Sequence, residues 1–177
     1  RLPLEHWTQY GNEVDGQDIK DTWEAARFTW SLDLAGAELQ APGGPYAECF
    51  WKTVETFLDA NTVDAGPNWS SAQEIALRAI NWIICLGALG NSPASSLARL
   101  TRITRAIFQH ARRLPLTLNY ARSQNNNHVL SESLGLIFAG EYLTGVAPQS
   151  RGWINLGEKE FERALLQQID DQGNYSQ

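Results

Sequence analysis

The run at residues 75–89, IALRAINWIICLGAL, constrains the fold more than any other part of this chain, because it is apolar on nearly every side of a helix. A helix without a polar face must be covered all round, so it belongs to an inner layer with other helices packed around it. Elsewhere apolar residues recur at three and four rather than two, and Gly and Pro fall between segments instead of within them. The chain therefore reads as all-α, with no β-hairpin. Six helices are expected, over residues 18–39, 45–61, 71–89, 92–114, 127–143 and 150–169. The separators APGG, VDAGPN, GNSP and VAPQ are short turn formers, and helices joined by such short connections lie antiparallel as hairpins.

The inner run carries one polar stripe: Glu74, Arg78 and Asn81 stand at i, i+4 and i+7. Two readings are open. Either Glu74 and Arg78 form an internal ion pair that holds helix to helix, or the stripe lines a polar cleft. Just upstream, Ser71 and Glu74 have the spacing of a capping box. The helix at 92–114 contrasts with this one, since Leu97, Leu100, Ile103, Ile107 and Leu114 form an apolar stripe while Arg99, Arg102, Arg105, Arg112 and Arg113 lie mostly elsewhere. It reads as an outer, amphipathic helix whose arginines are solvated.

At 177 residues the chain is one domain. Its 14 Lys and Arg against 20 Asp and Glu, a net charge of -6, argue against a nucleic-acid-binding protein. Apolar residues make up 43%, yet no run of 18 is apolar throughout, so the expectation is a soluble globular protein without a membrane span. Cys49 and Cys85 sit in apolar helical segments and read as free thiols rather than a disulfide. There is no Walker loop, dinucleotide-binding glycine pattern, CxxC or HExxH, and His6, His110 and His128 are scattered, so neither a cofactor nor a metal site is expected in this segment. No nucleophile elbow is recognisable. Paired carboxylates for glycoside hydrolysis stay open, because their separation is spatial.

The densest polar signal is RSQNNNHVLSE, residues 122–132, where Gln124, Asn125, Asn126 and Asn127 precede His128 and an apolar run. A helix begins at Asn126 or Asn127, and one side-chain carbonyl there caps its first turn. Glu132 follows His128 at i+4, where a carboxylate can orient the imidazole and fix its tautomer. The remaining amides are either solvated loop residues or donors with a chemical task. One chemistry suits them: removing a proton next to a carboxylate spreads negative charge onto that group, and neutral donors or a histidine aimed at its oxygens stabilise the enolate-like transition state. A nearby tyrosine or histidine then moves the protons.

Four blocks carry a resemblance that covers most of the chain: DIKDTWEAARFTW (18–30), GPNWSSAQEIALRAINW (66–82), NNHVLSESLGL (126–136) and QIDDQGNYSQ (168–177). Their order and spacing resemble the N-terminal catalytic domain of the heparinase II/III-like polysaccharide lyases, which include heparin, heparan sulfate and alginate lyases. The resemblance implies an (α/α) toroid, here an incomplete barrel of antiparallel helical hairpins, with the whole of 1–177 inside it. The rest of the toroid and a C-terminal β-sandwich are expected downstream. It also implies β-elimination on an anionic, uronic-acid-containing polysaccharide, with Asn127 neutralising the uronate carboxylate, Asn126 as the adjacent matching amide, and His128 as neutraliser or base. Glu74, Arg78, Asn81, Trp69 and Glu132 are the accompanying candidates for substrate binding, Arg78 as a bidentate partner of carboxylate or sulfate. Trp69, Trp82 and Trp153 either stack on sugars or pack in the core. The family's catalytic tyrosine is expected a few residues beyond Gln177, in a Tyr-His-Arg context, so Tyr175 is not that group. Further histidines and any structural zinc of the family also fall downstream. Two rivals remain: a carbohydrate-binding or scaffolding toroid without catalysis, and a glycoside hydrolase on a similar barrel. A bacterial periplasmic or secreted location follows from the family, with a cytoplasmic role in processing the cell's own surface polysaccharide as the other possibility.

Overall fold

The computed structural model describes residues 4–175 apart from Asn12 and Asp15. The first expected helix is two. Asp18 caps α1 (Ile19–Ala26) by accepting from the Lys20 amide at 2.9 Å, and α2 (Ser31–Gln40) follows a sharp reversal at Phe28, whose φ is +60°. A bulky residue in the left-handed region is strained. The Phe28 ring offsets that strain by filling the core, edge-on to Trp82 and Phe57 at 5.3 and 5.4 Å.

The helices α3 (Tyr46–Ala60), α4 (Ala72–Leu89), α7 (His128–Tyr142) and α8 (Ser150–Gln168) lie within a residue or two of expectation. Two differ. The helix expected from residue 92 starts later, as α5 (Leu97–Arg113), because Ser96 takes the cap position and accepts from the Arg99 amide, leaving Leu97 81% exposed rather than in the apolar stripe. The short α6 (Leu118–Gln124) was not anticipated: at seven residues it shows no more than two turns of periodicity. One small antiparallel pair, β1 (Glu13–Val14) with β2 (Gln17–Asp18), corrects the expectation of no hairpin.

The described helices form two layers. α4 lies between α2 and α7, and each of these three has the next long helix of the chain (α3, α5 and α8) against it, giving packed helical hairpins. α4 is the inner helix its sequence demanded. By length and composition it could cross a membrane, but 61% of it is buried among its neighbours. α7 approaches both sides closely: a Cβ on Gly135 would meet Ala76 of α4 at 2.7 Å, and one on Gly157 of α8 would meet the Ser133 carbonyl of α7 at the same distance. Such contacts admit nothing larger than glycine.

The arginines of α5 are not simply solvated. Arg99 bridges Glu48 and Glu55 of α3, and Arg102 pairs with Asp59. Cys49 is free and exposed, and Cys85 is free and buried, its sulfur 3.1 Å from Ser31 Oγ.

Candidate functional site

The carboxamide run sits in the turn between α6 and α7. Asn125 closes α6 in the left-handed conformation, φ +45°, which asparagine tolerates better than most residues. Asn126 then turns the chain: its Oδ1 accepts from the His128 amide at 3.0 Å, and its carbonyl accepts from Gln168 Nε2 of α8 at 3.0 Å. Asn127 occupies the cap position without a side-chain capping bond, and its carbonyl takes both the amide and the hydroxyl of Ser131 at 3.1 Å. Two amides are thus explained structurally, and the exposed carboxamide of Asn127 has no partner among the described residues.

His128 opens onto a cleft of about 550 Å³, whose wall includes Trp7, Tyr10, Trp23, Tyr120 and Glu132. The half-buried imidazole titrates below its ordinary value because burial disfavours its charge, although the Glu74 carboxylate pulls the other way. Glu132 is 1% exposed, and burial pushes its carboxyl up to about 7, against the opposing influence of the Thr117 hydroxyl, which donates at 3.2 Å, and of Arg113. No hydrogen bond joins Glu132 to His128 among the described residues; the carboxyl turns to Thr117 instead of orienting the imidazole. Burial thus favours the neutral form of both the imidazole and the carboxyl in this cleft. A protonated carboxyl can donate to an anion, and the two together can handle developing negative charge and a proton.

The polar stripe of α4 is spent elsewhere. Glu74 does not pair with Arg78: it takes a two-pronged bond from Arg27, with Nε to Oε2 at 2.5 Å and Nη2 to Oε1 at 2.9 Å. It therefore makes no capping box either, and the Ser71 hydroxyl is buried without a partner. Arg78, 0% exposed, donates to the carbonyls of Ala26 at 2.6 Å and Asn68 at 3.1 Å, and to His110 Nε2 at 3.2 Å, with its charge 4.7 Å from the centre of the Phe57 ring. His110 is set in the right tautomer for this, because its Nδ1 bonds the Ala106 carbonyl at 2.8 Å. Burial and the Arg78 charge together drive its pKa down to about 3. Asn81 bonds the Arg27 carbonyl at 2.8 Å, closing the network. Trp69 is buried on His110 with ring centroids 4.7 Å apart, Trp82 is buried on its other side at 5.0 Å, and Trp153 packs on Phe108.

Of the residues singled out from sequence, the structure brings His128 and Glu132 into one cleft, uses Asn126 in the turn that precedes it, leaves the Asn127 side chain outside the lining of that cleft, and commits Glu74, Arg78, Asn81 and Trp69 to internal partners. Sequence reasoning missed Arg27, Thr117, Tyr120 and the aromatic N-terminal segment. Only the last had a visible signal, the aromatic pair in HWTQY. Among the described residues no group of three His, Cys, Asp or Glu could hold a metal ion.

Neither a family model nor a curated protein sequence matches the chain. A solved structure does: the crystal structure of heparan sulfate lyase HepC from Pedobacter heparinus superposes with a TM-score of 0.75 at 18% identity over 93% of this chain. The chain spans 26% of the length of that protein. At this identity the likeness is one of fold: the packed helical hairpins described here are similar to part of a heparinase-like toroid.

Proposed function

We propose that this chain is part of a polysaccharide lyase that cleaves a uronic-acid-containing anionic polysaccharide by β-elimination. The observation that carries the reading is the cleft in which His128, held neutral, and Glu132, titrating near 7, share a wall with Tyr and Trp rings, with the unpartnered Asn127 preceding His128 in the chain. Asn127 donates to the uronate carboxylate, and Asn126 keeps the turn in shape. His128 donates to the same group or takes the C5 proton. Glu132, when protonated, supplies a further donor to the enolate-like charge. Electron flow then breaks the C4–O bond and forms a C4–C5 double bond, and the departing glycosidic oxygen takes up a proton, from the imidazolium or from water, to leave as a hydroxyl. Exposed Tyr120 offers a face on which a sugar ring can stack. The likeness to a heparan sulfate lyase supports the reaction class, and a periplasmic or secreted location suits such a substrate.

The test is near-ultraviolet absorbance during incubation of the full-length protein, of which this chain is a part in this reading, with heparan sulfate, heparin, alginate and polyglucuronate. Wild type is expected to generate the unsaturated product, with Asn127→Ala and His128→Ala losing it while circular dichroism is unchanged. New reducing ends without that absorbance would identify a hydrolase. Binding with neither would identify a non-catalytic toroid.

A further inference from the structure

The arginines of α5 divide into two groups. Arg99 and Arg102 are occupied by carboxylates of α3. The others have no carboxylate partner on α3. Arg105 is exposed and has no partner among the described residues. Arg112 holds Asp64 at 2.8 Å on the surface. Arg113 is 3% exposed, stacked 3.7 Å over the Trp7 ring, and its Nε and Nη2 have no acceptor. A buried guanidinium with two empty donors is costly, and it is an arrangement that an incoming acceptor would complete.

Beside Arg113 lies a cavity of about 290 Å³, walled by His6, Trp7, Asp64, Arg112 and Thr117. It shares Trp7, Leu116 and Thr117 with the His128 cleft, so the two are adjoining compartments of one groove. Past Asp64 a third hollow of about 330 Å³ opens between α3 and α5, with Arg102, Arg105 and Gln109 along one side and Trp69 in its lining. Trp69 Nε1 is a second buried donor without an acceptor. Positions 102, 105, 109 and 112 fall at i, i+3, i+7 and i+10, a single face of the helix. Arg105 and Arg112 are about 10 Å apart along its axis, a span of roughly two sugar residues rather than one.

We propose that this face of α5 is an extended binding track for the acidic polymer. The carboxylate or sulfate of the residue next to the His128 cleft bonds Arg113 and Arg112, and that of a more distant residue bonds Arg105. The proposal rests on the reading of the cleft given above and adds where the rest of the polymer lies. The Asp64 carboxylate is the competitor in the groove, and Arg112 has to divide its donors between it and the ligand.

Calorimetry with size-defined heparan sulfate oligosaccharides tests this on wild type, Arg105→Ala, Arg112→Ala and Arg113→Lys, with absorbance of the unsaturated product followed in parallel. Affinity is expected to rise about tenfold or more from disaccharide to hexasaccharide. Arg105→Ala should weaken hexasaccharide binding about three- to tenfold and leave disaccharide binding unchanged, whereas Arg112→Ala, next to the cleft, should weaken both by about that factor, and each should flatten the salt dependence. Arg113→Lys loses the fork and is read only if its circular dichroism is intact; the two exposed positions carry the test otherwise. Equal affinity for all lengths, or a length dependence that both alanine variants retain in full, overturns the track. Arginine-dependent binding without any unsaturated product leaves the track standing and removes the elimination reading. Product formation with binding indifferent to both arginines does the reverse.

Discussion

Two polar regions of the molecule, the network around Arg78 and the His128 cleft, are built on opposite terms. In the network around Arg78, a buried cation is completed by two carbonyls, an imidazole and an aromatic face, and Glu74 is completed by Arg27. In the His128 cleft, a buried carboxyl has one hydroxyl for company, the imidazole has no side-chain partner among the described residues, and the neighbouring Arg113 is incomplete. A satisfied network fixes a fold and has no capacity left for a ligand. An unsatisfied one costs stability and keeps its capacity.

The sharpest way to break this comparison is Arg78→Ala. It orphans two buried carbonyls and opens a cavity, so unfolding free energy should fall by about 3–5 kcal/mol in denaturant titration. A loss below about 1 kcal/mol would mean that the network does not hold the fold. Next is His128→Ala, which should cost about a hundredfold or more in product formation while moving the denaturation midpoint little, because the ring makes no buried bond.

The two regions should also respond to pH with opposite signs. His110 has a folded pKa of about 3 against an ordinary 6.5, so the unfolded chain binds its proton first. Its contribution is present in full above pH 6.5 and is lost as pH falls toward 3, by up to roughly 1.4 kcal/mol per pH unit. Glu132 is raised to about 7 from 4.5, so its contribution is present in full below pH 4.5 and is lost as pH rises through 7. His110→Gln should therefore flatten the acid limb of a stability profile between pH 6 and 4. Glu132→Gln should remove the penalty of ionising a buried carboxyl, adding about 1–2 kcal/mol above pH 7 and steepening the acid limb. A Glu132→Gln profile parallel to wild type would show that the carboxyl is better solvated than its burial implies.

What the sequence disclosed follows the same division. The inner helix, the helical hairpins and the start of α7 were legible because periodicity and turn residues are local signals. The break at Phe28 was not, since a positive φ at phenylalanine carries no marker residue. The Glu74 partner was misassigned because spacing at i+4 nominated Arg78, whereas the actual partner, Arg27, is 47 positions away. His128 and Glu132 stood out through the residues around them. The walls opposite, Trp7, Tyr10 and Trp23, come from a segment whose position depends on tertiary packing alone.

The glycine contacts bear on the site in mechanical terms. Gly140 and Gly157 bring the α7 and α8 backbones into direct contact, so the pair forms one strut. Gln168, at the last turn of α8, grips the Asn126 carbonyl in the turn just before α7. The carboxamide turn is therefore clamped at the strut's end, and a tilt of α8 would swing Asn126, Asn127 and His128 together as one tip.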